Sequence, residues 1–186
     1  MEVDRATGLL AGVPYVPSPF QNERPEGAEV ELVVIHGISL PPGEFGGPWV
    51  ERLFLGRLPP EAHPFFADIR ALRVSAHLLV RRSGRIIQYV PFHRRAWHAG
   101  ASSWRGREGL NDVSIGIELE GADGIPYEGA QYRAAAAAVA ALAAAWPRLA
   151  EPDRLVSHAD VAPGRKTDPW ASFDWERFRR LIGGYS

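Results

Sequence analysis

Cysteine is absent from this chain, so neither disulfides nor thiolate metal ligands are available, and any metal must be held by imidazole and carboxylate. An excess of either charge is missing too. With 21 basic residues against 22 acidic ones the formal charge is -1, which removes the global electrostatic reason to expect nucleic acid or an anionic membrane as a partner. No window approaches the ~18 consecutive apolar residues of a membrane helix. The stretch Leu9-Leu10-Ala11-Gly12-Val13 follows an acidic start and is shorter than a signal-peptide core, so no export signal is read and a cytoplasmic location is expected. Internal repeats and linkers are also lacking. The 186 residues are therefore expected to form one domain, long enough to bury roughly 70% of the surface that the unfolded chain exposes.

What is there falls into a readable order. Residues 1–29, with Pro14, Pro17, Pro19 and Pro25, read as an irregular arm packed on the domain. Val30-Glu31-Leu32-Val33-Val34-Ile35 is a β-branched run that suits an interior strand and delivers His36 at its end. Pro41-Pro42-Gly43-Glu44-Phe45-Gly46-Gly47-Pro48 must be a surface loop, and short helices are expected to begin near Pro48 and Pro64. Residues 76–81 and 85–90 read as a hairpin around Ser83-Gly84. In the run 113–120, Ile115, Ile117 and Leu119 share one face with Val113, whereas Ser114, Gly116, Glu118 and Glu120 share the other. The alanine-dominated stretch from about Glu128 to Trp146 is one long helix stopped by Pro147. Residues 154–157 form a last strand that delivers His158, and residues 173–182 form a closing amphipathic helix. This order implies an α/β domain in which a mixed central sheet is flanked by helices.

Two strands thus deliver a histidine each, and the second opens the segment His158-Ala159-Asp160-Val161-Ala162-Pro163-Gly164-Arg165-Lys166-Thr167-Asp168-Pro169. Two imidazoles and one carboxylate, His36, His158 and Asp168, would supply three zinc ligands and leave a fourth tetrahedral position for water. Taken singly, each residue has a plainer reading. A histidine at a strand end is more often structural than a ligand, and Glu118 suits a surface strand residue paired with an arginine. Lys166 suits a solvated loop charge, and Asp168 before Pro169 suits the start of a turn. Their concentration in one short segment with His158 weighs against all of these at once.

His36, Ser75-Ala76-His77, Ala96-Trp97-His98-Ala99-Gly100, Ser114-Ile115-Gly116-Ile117-Glu118 and Gly164-Arg165-Lys166-Thr167-Asp168-Pro169 together resemble the type 2 N-acetylmuramoyl-L-alanine amidase superfamily, which also holds the peptidoglycan recognition proteins. The loop Ile38 to Trp49 and the segment His63-Pro64-Phe65-Phe66 resemble, more narrowly, its members that act on 1,6-anhydro-muramyl peptides during cell-wall recycling. The likeness runs from about Val13 to Phe178.

The resemblance implies that superfamily's fold and one zinc ion per chain on His36, His158 and Asp168. It also implies Glu118 as the acid/base residue and Lys166 as oxyanion stabiliser. It points to a soluble muropeptide as partner, with no obligate protein partner. Arg73, Trp97, His98 and position 37 would line the substrate groove, His77 would support it, and His63 and His93 would be structural or exposed. Two departures stand out: position 37 is glycine where the family pattern has asparagine, and Gly109 falls where it has a second arginine, for which Arg105 or Arg107 would have to substitute. Trp49, Trp97 and Trp104 are candidates for stacking on sugar faces. The competing readings are a module that binds wall fragments without cutting them, and an amidase acting on polymeric wall.

Overall fold

The computed structural model describes residues 1–184. Its centre is a five-stranded mixed sheet. The strands are β1 (Leu32–Ile38), β2 (Leu78–Val80), β3 (Ile86–Gln88), β4 (Ser114–Glu120) and β5 (Leu155–Ser157), in the order β5-β1-β4-β2-β3. β5, β1, β4 and β2 run parallel, and β3 returns antiparallel to β2. Parallel strands present their carboxyl ends along one edge, where ligand sites of open α/β sheets collect. His36, Glu118 and His158 all lie at that edge.

The branched run expected to stop at Ile35 continues to Ile38, because its pairing with β4 holds in register from Leu32↔Ser114 to Ile38↔Glu120. His36 therefore sits inside the strand, opposite Glu118 in the pairing of the two strands. On one face of the sheet Val33, Ile35, Leu78, Val80, Ile115, Ile117 and Leu119 pack against the helix α3 (Gly129–Ala145). Alanines at 135, 136, 138, 141 and 145 are buried there, and such short side chains let the helix lie close to the sheet while keeping high helix propensity. A capping box between Glu128 and Gln131 starts α3, and the Gln131 amide also donates to Glu120 O at 2.9 Å, which ties the helix start to the functional edge. A closing helix, Trp175–Gly183, capped by Asp174, adds Phe178 to the same core. The other face carries Leu79, Ile87 and Tyr89 under two short helices, α1 (Trp49–Phe54) and α2 (Pro64–Ile69), where the prolines were expected to start them.

Two expectations are corrected, and one is refined. Val113 does not share the face of Ile115; it precedes the strand and packs with Leu32, Val34 and Val156 on the opposite side. The arm is not irregular throughout: Val3–Asp4 pairs with Leu9–Leu10, and Gln21–Glu23 pairs with Arg94–Ala96, because an arm lying along the sheet can use its backbone groups on exposed edges. After Ser157 the chain enters at once a short helix, His158–Val161, so His158 is the first residue of a helical turn capped by Ser157.

Candidate active site

The site is assembled from the strand edge outward. His36 comes from β1, His158 from the helical turn after β5, and Asp168 from the loop that follows; all three are buried. Their nearest atoms are His36 Nδ1, His158 Nδ1 and Asp168 Oδ2, separated by 2.9, 3.0 and 3.5 Å. Donors held at ~2.1 Å around a tetrahedral metal stand ~3.4 Å apart, so the triangle has the right size.

Hydrogen bonds behind the triangle decide which atoms are free to donate electrons. Ser114 Oγ donates to Leu110 O at 2.6 Å, so toward His98 Nε2, 3.0 Å away, it can only accept. His98 therefore carries its proton on Nε2 and accepts at Nδ1 from His36 Nε2–H, at 2.9 Å. That leaves His36 Nδ1 with a bare lone pair. His158 Nε2–H points at Ala99 O, 3.4 Å away, which leaves its Nδ1 bare as well. Asp168 turns a single carboxylate oxygen, Oδ2, toward both of these nitrogens. Burial pulls His36 down to about 4, against the pull of Asp168, so the ring is neutral at ordinary pH. Three acceptors face one another with no proton between them, an arrangement that a cation satisfies and water alone does not. The three residues could hold one metal ion.

Glu118 stands beside the triangle, its Oε1 4.0 Å from His36 Nδ1, and its Oε2 is buried with no partner among the described residues. Burial first, then the charge of Asp168, push its carboxyl well above the usual range, while the Lys166 ammonium opposes them. Lys166 is exposed and makes no ion pair among the described residues, yet its charge reaches both Glu118 and His36. A buried carboxyl with an unused oxygen, next to a metal-sized donor set, is equipped to take and return a proton.

Other anticipated residues fare differently. His98 does not line a groove with a free nitrogen: both ring nitrogens are committed inside the protein, and its ring fills the space where a Gly116 Cβ would come within 2.4 Å of Cγ. Position 37 faces the side of the sheet opposite to His36, and a Cβ there would lie 2.4 Å from both Trp170 Cζ3 and Tyr127 Oη, so no side chain at 37 reaches substrate. Trp97 is partly buried, stacks on Phe20 and donates from its indole to Asn22 at 2.7 Å. Arg73 is exposed, without an ion pair among the described residues, two positions from Ser75, which bonds Trp97 through its backbone. Arg105 and Arg107 pair with Asp153 and Glu31, and the backbone at 109 is left-handed with φ 67°. Trp49 packs on Phe66, and Trp104 lies under Arg105 and Arg154. His63 caps a helix by accepting from Phe65 N.

Sequence reasoning missed the layer that supports the triangle. Asn111 Oδ1 accepts from the amides of both His98 and Ala99 at 3.1 and 2.8 Å. The Arg165 guanidinium clamps Ala99 O and Ala101 O. His77 accepts from Gly116 N at Nδ1 and donates to Arg94 O from Nε2, so it braces β4 as a neutral ring. Arg24, from the arm, donates to the carbonyls of Asn111, Asp112, Phe92 and Ser114. Carbonyl acceptors leave no trace in a sequence, so only the motif Ser114-Ile115-Gly116 offered a signal.

A buried His–His–Asp donor set with an adjacent proton-handling carboxyl, on the carboxyl edge of an α/β sheet, is the arrangement of a hydrolytic metalloenzyme. Comparison with known proteins makes this specific. The family profile described as N-acetylmuramoyl-L-alanine amidase matches residues 26–171, and the chain belongs to that family. It is 56% identical over 175 residues to the 1,6-anhydro-N-acetylmuramyl-L-alanine amidase AmpD of Escherichia coli, covering 94% of both chains. A crystal structure of a selenomethionine AmpD derivative superposes with a TM-score of 0.94 at 55% identity, over 98% of this chain and 99% of that one. The amidase AmiD of E. coli, solved with the substrate anhydro-N-acetylmuramic acid-L-Ala-D-γ-Glu-L-Lys, matches with a TM-score of 0.60 at 30% identity, over 86% of this chain and 61% of that one.

Proposed function

We propose that this protein hydrolyses the amide bond between 1,6-anhydro-N-acetylmuramic acid and L-alanine in soluble muropeptides, as a zinc enzyme of cell-wall recycling in the cytoplasm. The observation that carries the reading is the convergence of His36 Nδ1, His158 Nδ1 and Asp168 Oδ2, all acceptors, beside the unpartnered Glu118 Oε2. The family match and the extensive identity to AmpD supply the substrate class. Among the described residues no helix is long and apolar enough to cross a membrane.

Zinc, when held there, supplies Lewis acidity toward the lactyl carbonyl and acidifies water to a pKa of about 7. His36 and His158 are fixed as Nδ1 donors by the partners at their other nitrogens. Glu118, with its raised carboxyl, accepts the proton of the attacking water at Oε2 and returns it to the departing L-alanine amine. Lys166, exposed but close enough to act on Glu118, offers its ammonium to the carbonyl oxygen as negative charge develops on it. Arg73 and Trp97 form the groove side of the site, where an unpaired guanidinium suits the free carboxylates of the peptide.

The test is mass spectrometry of anhydro-muramyl tripeptide incubated with metal-replete protein, alongside measurement of metal content. Free anhydro sugar and free peptide are expected from the parent, with Glu118→Ala slower by at least ~100-fold but still carrying metal. Intact substrate that nevertheless binds would reject the hydrolase reading in favour of a binding-only module.

A further inference from the structure

Glu120 lies two residues beyond Glu118 on β4 and, by strand alternation, on the same face of the sheet. It pairs with Ile38, where β1 passes into the loop 39–48. Its side chain is buried, and both carboxylate oxygens are used. Oε1 accepts from Gly46 N at 2.9 Å and from Arg81 Nη1 at 2.6 Å, and Oε2 accepts from Arg82 N at 2.9 Å. Arg81 Nη1 also donates to Gly47 O at 2.8 Å. One ion pair thus grips the loop at two points.

Packing alone does not hold this stretch in place. From Pro42 to Pro48 no residue is fully buried, and Gly46 and Gly47 border a hollow of about 650 Å³ whose other walls include Glu51, Arg85 and Ile87. Gly43 N donates to Ser39 Oγ and Glu44 N to Pro41 O, bonds that shape the loop without tying it to the sheet. A further tie comes from Arg82, whose guanidinium lies 4.9 Å from the centre of the Phe45 ring.

Strand order decides what the loop stands beside. Across the carboxyl edge, from β5 through β1 and β4 to the end of β2, come His158, His36, Glu118 and Arg81 in turn. Glu118, whose Oε2 has no partner among the described residues, therefore stands between the donor triangle and the gripped loop. With a rise of ~3.3 Å per residue, Glu120 is ~7 Å along the strand from Glu118. Three extended peptide residues span ~10 Å, so a muramyl tripeptide whose scissile amide meets Glu118 is longer than the gap to the loop.

The geometry points to Glu120 and Arg81 as positioning residues of the amidase, an ion pair that sets the loop 42–48 as the wall of the cleft on the side of Glu118 away from the donor triangle. The inference rests on the amidase reading above for the identity of the substrate. Neither residue bonds to the triangle among the described residues; both act through Gly46 and Gly47. A wall already in place spares the substrate the cost of ordering it, so loss of the pair belongs in binding rather than in the chemical step.

Kinetics of the full chain, metal-replete, with anhydro-muramyl tripeptide test it through Glu120→Gln, which keeps the shape of the side chain and removes the ion pair. KM is expected to rise ~10-fold with kcat changed less than ~3-fold and metal content unchanged, while hydrogen exchange of the Gly46 amide accelerates. Should the uncompensated Arg81 keep that variant from folding, the double variant Arg81→Met with Glu120→Gln removes both charges, folds, and retains the raised KM. Arg81→Lys keeps the charge but not the planar fork and should raise KM less, ~3-fold.

Faster exchange at Gly46 with KM unchanged overturns the proposal, since the loop then moves without consequence for the substrate. A joint fall of kcat and metal content at constant KM overturns it as well and makes the pair only a brace of β4. Were the parent to leave the tripeptide uncut, the amidase reading would fail by itself. The wall is then judged by calorimetric titration with tripeptide, where Kd must rise ~10-fold in the variant that folds, and equal Kd values overturn the proposal.

Discussion

Four histidines crowd the carboxyl edge of the sheet, and they divide into two layers with opposite duties. In the front layer His36 and His158 each keep one bare Nδ1 and turn it toward Asp168. In the back layer His77 and His98 have both nitrogens committed, His77 to Gly116 N and Arg94 O, His98 to His36 and Ser114. The rings are the same; what separates a candidate donor from a brace is whether the second nitrogen has already found a partner. The back layer makes the front layer work, because the proton on His36 Nε2 is held in place by His98, and His98 is held by Ser114.

The comparison breaks most completely if a front-layer group can be removed without consequence. Asp168→Ala leaves two bare lone pairs facing each other, and both bound metal, by elemental analysis, and amide hydrolysis are expected to fall by at least ~100-fold. A back-layer change should be milder and of another kind. His98→Ala removes the acceptor for His36 Nε2–H, so metal affinity measured by chelator competition should drop ~10- to 100-fold while saturating metal restores most of kcat. Gly116→Ala reaches the same ring sterically, with a Cβ 2.4 Å from His98 Cγ. Urea unfolding should show a loss of about 1–3 kcal/mol together with the same weakening of metal binding.

Acid offers a gentler test of the metal-free protein. Burial holds His77 and His98 well below the ordinary imidazole range and His36 at about 4, whereas the unfolded chain returns each to ~6.5. Below that value the unfolded state binds more protons. The stability these rings contribute is thus complete above pH ~6.5 and is lost as pH falls, by up to ~1.4 kcal/mol per pH unit for each. Glu118 offsets part of this, because its raised carboxyl takes up a proton in the folded state first. Denaturation midpoints that stay level between pH 7 and 5 would contradict the neutral back layer. The smallest effect is expected outside both layers: Arg105→Ala, which removes an exposed pair with Asp153, should cost less than ~1 kcal/mol and leave KM and kcat alone.

Much of this architecture was open to sequence reading because its signals are local. A branched run marks β1, alternation marks β4, an alanine tract ended by proline marks α3, and each needs only neighbours a few positions apart. The donors were legible as residue types: without cysteine, only imidazole and carboxylate were available, and the segment from His158 to Asp168 concentrated them. The bracing role of His98, the closed position of Gly37 and the engagement of Arg105 and Arg107 were not legible, since each depends on a partner brought from elsewhere.

What the sequence determined by itself is therefore the kind of elements, their order and the inventory of groups that can bind a metal. The tertiary structure alone decided which nitrogen of each ring is free. A histidine's tautomer follows the partner of its other nitrogen, and for His36 that partner lies 62 residues along the chain, while the donor facing it, His158, lies 122 residues away. Only the packed sheet edge, where four parallel strands end together, brings these groups within hydrogen-bond reach and so turns a list of side chains into a site.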